Sequence, residues 1–189
     1  TINGGTVTAT GGDGAGIGGG SQGNGSNITI NGGTVTAHGV LYGACIGGGW
    51  EASGSNITIN GGTVTANGGK RGSAGIGGGG YGGVGFNIRI NGGTVMATGG
   101  ELNGQNGVMY GDGIGSGVIR PSSNPSPNPS SNIFVAKNLL VKAGNTEETM
   151  YVIGNYTGLD LASGFAGKRF ATIEPEPAPE EKEVTYIDE

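Results

Sequence analysis

Residues 56–79 read NITINGGTVTANGGKRGSAGIGGG, and near copies begin at Thr1, Asn27 and Asn87. Apolar side chains alternate inside the copies. Ile28 and Ile30 flank Thr29, Val35 and Ala37 flank Thr36, and Ala15 and Ile17 flank Gly16. A period of two marks a strand with one buried face. Asn-Gly-Gly separates the first strand from the second, and glycine-rich stretches bound the third. Such residues accept positive φ and let the chain corner sharply. No segment carries the helical period of 3.6.

Asn3, Asn31, Asn60 and Asn91 mark the corners of successive copies, spaced 28, 29 and 31 residues apart. A fixed period of this size belongs to solenoids, propellers or arrays. Three short strands per repeat, with corners between them, make one coil of a parallel β-helix whose coils stack about 4.8 Å apart. The expected fold is therefore all-β, a right-handed parallel β-helix. It has about five coils of 28–31 residues, three short strands in each, and a C-terminal cap. Equivalent residues then lie over one another. Ile2, Ile30, Ile59 and Ile90 form one internal column, and Val7, Val35, Val64 and Val95 a second. Ala9, Ala37, Ala66 and Ala97 form a third, and Ile17, Ile46, Ile76 and Ile114 a fourth. Asn3, Asn31, Asn60 and Asn91 would make an amide ladder. A degraded fifth copy, SNIFVAKNLLVKAG, puts Asn132, Ile133, Val135 and Leu140 on the places of Asn27, Ile28, Ile30 and Val35.

Composition agrees with a repeat and excludes several functions. Glycine contributes 47 of 189 residues and proline 7, a share that means disorder only where no period is present. The formal net charge of −5 offers nothing to a nucleic-acid backbone. No apolar run approaches the roughly 20 residues of a membrane span. Cys45 is the only cysteine, so no internal disulfide forms. The chain opens mid-repeat at Thr1-Ile2-Asn3, which reads as a piece of a longer protein with further domains.

The regular coils are expected over residues 1–120. The fourth copy carries an insertion, GGELNGQNGVMYGD, that bulges from one corner. A Ser/Pro/Asn-rich loop follows over 121–131, then the last coil and cap over 132–173, where Met150, Tyr151, Val152, Ile153, Phe165, Phe170 and Ile173 replace the glycines. A β-helix end exposes strand edges and needs such a cover. Residues 174–189 read as an acidic Pro/Glu linker and the start of a further module.

The phrases ITINGGTVTA and GAGIGGG resemble repeats of large modular surface proteins of Gram-positive bacteria. The strand pattern resembles the right-handed parallel β-helix class of pectate lyases and related carbohydrate-binding proteins. That resemblance implies a secreted or wall-attached, extracellular location and contact with a polysaccharide or a host or cell-wall glycan.

Enzymes of that class cluster carboxylates. The regular copies offer Asp13, Glu51, Glu101 and Asp112, and no acid recurs as a column. His38, the only histidine, has no Ser or Cys partner at a recognisable spacing. No catalytic residue, cofactor or metal ligand is assigned, and structural calcium finds no sequence support. Sugars stack on aromatic faces while polar groups fix their hydroxyls. Tyr42 and Tyr110 align just before the third strand, and Trp50 and Tyr81 follow it in neighbouring copies, with Glu51 and Asp112 nearby. These six are the candidate carbohydrate-binding residues. Asp112 is the odd member, since it takes the inward place of Ala15, Ala44 and Ala74. The leading expectation is a non-catalytic stalk or adhesin-like module. A polysaccharide lyase or glycoside hydrolase is the alternative, and the Thr-x-Thr rungs at Thr6, Thr34 and Thr63 supply a minor one, an ice-binding face.

Overall fold

The computed structural model describes residues 1–104, 107–118, 131–136, 138–152 and 165–177. The molecule is a parallel β-helix built from three columns of strands. The first column stacks β1 (Thr6–Gly11), β2 (Thr34–Gly39), β3 (Thr63–Asn67) and β4 (Thr94–Thr98). A second column stacks the two-residue strands Ile17–Gly18, Ile46–Gly47, Ile76–Gly77 and Ile114–Gly115. The third stacks Gly25–Ile30, Gly54–Ile59, Gly85–Ile90 and Ser131–Val135.

Registry is kept residue for residue. Val7 pairs with Val35, Val35 with Val64 and Val64 with Val95, all in parallel. Ile30, Ile59 and Ile90 stand over one another with no exposed surface, as do Ile46, Ile76 and Ile114. Each is worth roughly 1.5–3 kcal/mol of burial. Ile2, Val7 and Ile17 lie on the outermost coil and are only half-buried.

Two amide ladders run along the outside. Asn31 Nδ2 donates to Asn3 Oδ1, Asn60 to Asn31 and Asn91 to Asn60, each at 2.8 Å. The second ladder, Asn27–Asn56–Asn87, has no counterpart in the sequence reading. Its members share φ near +55° (57°, 52° and 52°), as does Asn132 at 58°. Asparagine is one of the few side chains that tolerates this left-handed backbone. One residue type therefore turns the corner and links the coils.

Glycine is required most strictly in the second column. Gly18, Gly47, Gly77 and Gly115 have φ of 139°, 137°, 131° and 141°. A Cβ on Gly47 would overlap the carbonyl oxygen of Gly77 in the next coil. Backbone there meets backbone, with no side chain between.

The C-terminal end departs from simple stacking. Strand β5 (Leu139–Gly144) does not pair with β4. Strand β6 (Phe170–Pro175) lies between them, antiparallel to both. Val95 meets Ile173, which meets Val141, and Ala97 meets Ala171, which meets Ala143. The backbone direction reverses while the columns continue. Two expectations are corrected here. Val141 and Leu139, not Leu140, face the core, because the corner from Val135 to Val141 is one residue longer than that from Ile30 to Val35. A one-residue slip turns every side chain over. Glu174 and Pro175, expected in the linker, still belong to β6. Ile153, nearly all of the 121–131 loop and the linker after residue 177 lie outside the described residues.

Asp112 ties this end together. It is 5% exposed. Its carboxylate accepts from Ser116 N–H at 2.9 Å and from Gly167 N–H at 2.7 Å. Gly113 N–H donates to Lys168 O, and Gly99 N–H to Arg169 O, both at 2.7 Å. Phe165, with no exposed surface, packs into the core beside this clamp.

Four outcomes follow from this packing. Gly47→Ala should destabilise the fold by about 2 kcal/mol or more. Gly12→Ala, where an added Cβ meets nothing within 4 Å, should change it by no more than about 0.5 kcal/mol in denaturant titrations. Asp112→Ala, the residue type of the other coils, leaves the buried Ser116 N–H and the Gly167 N–H without their acceptor. It should cost about 1–3 kcal/mol and accelerate amide exchange at Gly167 and Ser116. Burial raises the Cys45 thiol from its ordinary 9.0 to about 12, so folding favours the protonated form. That contribution is complete below pH 9 and is lost as pH rises from 9 towards 12. Stability measured against pH should fall across that window, and Cys45→Ala should flatten the slope.

Candidate functional site

Aromatic side chains gather on one edge of the second and third coils. The Tyr42 ring lies 5.2 Å from that of Trp50, tilted 34°, and 5.4 Å from that of Tyr81, tilted 43°. All three are half-buried. Backbone bonds between coils set their spacing: Trp50 N–H donates to Asp13 O at 2.8 Å, Glu51 N–H to Gly80 O at 3.0 Å, and Gly80 N–H to Tyr42 O at 2.7 Å. Glu51 and Tyr81 have φ of 57° and 63° at their corners. The Trp50 Nε1 is buried and finds no acceptor among the described residues. Such an unsatisfied donor costs roughly 1–3 kcal/mol.

Four of the six candidate residues come together here: Tyr42, Trp50 and Tyr81 as a strip of rings, and Glu51 exposed next to Trp50. The other two do not join them. Tyr110 aligns with Tyr42, but two coils on, about 9.6 Å away along the axis. Gly72 holds the equivalent place between them. Tyr110 ends an antiparallel hairpin, β7 (Glu101–Gly104) with β8 (Gly107–Tyr110), into which the insertion folds. Its ring packs beneath the Arg169 guanidinium, with Cζ 4.4 Å from the centroid. Asp112 is committed to its own corner and to the C-terminal segment, accepting from Ser116 N–H and Gly167 N–H. The sequence pattern marked it as exceptional because it stands where other coils carry alanine. Only the position of Gly167, 55 residues on, reveals what it holds.

A cleft of about 740 Å³ opens beside the strip, lined by Val40, Lys70, Arg71, Glu101, Asn103 and Arg169 with the glycines of the adjoining corners. Arg71 joins the two features, since its Cζ also lies 5.7 Å from the Tyr42 centroid. Lys70 pairs by an isolated bridge with Glu101, and Arg71 N–H donates to Glu101 O at 2.6 Å, so the hairpin forms one wall. Arg169 Nε donates to Gly99 O at 3.3 Å, and Asn103 Nδ2 to the Glu101 carboxylate at 3.2 Å. In the sequence Lys70-Arg71 is an adjacent pair of cations. Nothing in the spacing linked it to Arg169, nearly a hundred residues away.

Among the described residues, no group of three or more His, Cys, Asp or Glu side chains is arranged to hold a metal ion. No helix is long and apolar enough to cross a membrane.

One comparison with known proteins agrees with the fold. No curated protein and no solved structure matches the chain. The family model described as "Beta helix repeat" matches residues 1–21, 28–50, 57–80 and 88–118, one stretch for each regular coil and more than half of the sequence in all. The chain belongs to the beta helix repeat family.

Proposed function

We propose that this chain is a non-catalytic module of an extracellular bacterial surface protein, a stalk or adhesin-like unit that binds carbohydrate along the edge carrying Tyr42, Trp50 and Tyr81. The observation that carries the reading is the convergence of three aromatic rings, from loops of two coils, beside a polar cleft. Ring faces supply apolar contact to sugar C–H surfaces, and the flanking polar groups set orientation. The stalk role rests on the ladder architecture, in which every coil buries its core only against its neighbours and length adds without redesign.

The alternative, a polysaccharide lyase or glycoside hydrolase, calls for acids from different coils to converge on one bond. Asp112 is the acid nearest the interior, and its carboxylate is occupied by two backbone N–H groups. Glu51 and Asp13 are exposed at the surface. That arrangement favours binding over catalysis. An ice-binding face draws on Thr6, Thr34, Thr63 and Thr94, which stack in register. The companion row runs Thr8, Thr36, Thr65 and then Met96, 50% exposed, which interrupts the hydroxyl array.

Tyr42→Ala and Trp50→Ala should leave the cooperative unfolding transition in place while weakening polysaccharide binding at least about tenfold, the loss expected for an aromatic platform worth about 1.4 kcal/mol or more. Affinity electrophoresis against immobilised polysaccharides is the measurement. Native chain that migrates unretarded through every glycan leaves the structural role alone.

A further inference from the structure

The protein is acidic overall, with formal net charge −5, yet the cleft beside the aromatic strip has the opposite character. Three of the chain's nine Lys and Arg residues line it: Lys70, Arg71 and Arg169. Glu101 is its one acidic lining residue among the described residues. The Lys70 and Arg71 side chains are exposed, and none of the three cations is held in a salt bridge among the described residues. Arg71 has a ring contact with Tyr42 and Arg169 stacks on Tyr110 and Phe170, contacts that orient a guanidinium without cancelling its charge. Arg169 is further fixed by its bond to Gly99 O. These are planar, pre-positioned donors of the kind that recognise carboxylate or sulfate oxygens in pairs.

The position of the charge sharpens this. Arg71 belongs to both features, one side of its reach being the Tyr42 ring and the other the cleft. Val40, 45% exposed, adds an apolar wall to the same cleft. A sugar lying on Tyr42 therefore has its neighbour, or its own acidic substituent, next to Lys70 and Arg71. A neutral glycan would leave Lys70, Arg71 and Arg169 without an anionic partner among the described residues.

We propose that the ligand is an acidic glycan. One sugar stacks along Tyr42, Trp50 and Tyr81, and a carboxylate or sulfate group is held in the cleft by Lys70, Arg71 and Arg169. The proposal rests on the carbohydrate-binding reading and adds the charge class of the ligand. Glu101 limits how much anionic charge the cleft accepts, and its carboxylate takes a hydrogen bond from Asn103 Nδ2.

Matched glycan pairs test it: polygalacturonate against its methyl ester for carboxylate, and a sulfated galactan against the same galactan after desulfation. Titration calorimetry should show the acidic member of at least one pair bound about tenfold or more tightly than its neutral partner, with affinity falling as salt rises. Which pair discriminates identifies carboxylate or sulfate. Lys70→Glu/Arg71→Glu should abolish the preference while Tyr42→Ala weakens both members, and Glu101→Gln should tighten the acidic member. Unfolding curves of each variant verify that the fold is kept. Equal binding of both members of each pair, with Lys70→Glu/Arg71→Glu without effect, overturns the acidic-ligand proposal and leaves the aromatic strip as the site. Equally tight binding of a single-stranded oligonucleotide overturns it as indiscriminate attraction of polyanions. Absence of binding to any member overturns both the proposal and the carbohydrate reading beneath it.

Discussion

Everything in this molecule depends on coils meeting at strand spacing with their side chains in register. Hydrogen bonds across the coils set the distance, and the internal Ile, Val and Ala columns make it favourable. A tight contact lies at the Ile-Gly strands, where Gly47 and Gly77 pack carbonyl against Cα with no room for a side chain. A coil of this composition has little reason to fold alone. Each glycine gives up more backbone freedom than alanine would, and only stacking restores the balance. Repetition is thus the mechanism of stability, which is why it dominates the sequence.

The same constraint explains how the chain ends its ladder. An open edge of parallel strands invites further pairing. Here β6 enters the sheet against the grain and places Ala171 and Ile173 on the columns of Ala97 and Val95. The fifth coil then resumes beyond it with Val141 and Ala143. Asp112 locks the arrangement by receiving Gly167 from the segment that leads into β6. A residue on an alanine position of the repeat has become the fastening for a strand that is not part of the repeat.

The surface site arises where the repeat is least regular. Tyr42, Trp50 and Tyr81 occupy corners rather than strands, and the hairpin of the inserted segment raises the wall that turns Lys70 and Arg71 into the side of a cleft. Rigid strands hold each corner at a defined height, so substitutions in the loops alter the surface without disturbing the core. That division between scaffold and loop is how one fold comes to carry many functions.

By itself, the sequence determined the β-helix, its period, its internal columns and the Asn3–Asn31–Asn60–Asn91 ladder, because local alternation and a fixed repeat leave one way to stack. It also identified the three aromatic residues that meet, since adjacent copies become adjacent coils. Only the tertiary structure decided the rest. The place of β6 was hidden because Ala171-Thr172-Ile173 is the Val-Thr-Ala phrase read backwards with Ile in place of Val, and a forward repeat search passes over it. The inward turn of Val141 hung on one added residue in a corner. Arg169 reached the cleft of Lys70 and Arg71, and Gly167 reached Asp112, through chain reversal over distances that no periodicity encodes. Repetition makes nearest-neighbour contacts legible, whereas contacts made by the non-repeating end depend on where the folded ladder leaves an edge to cover.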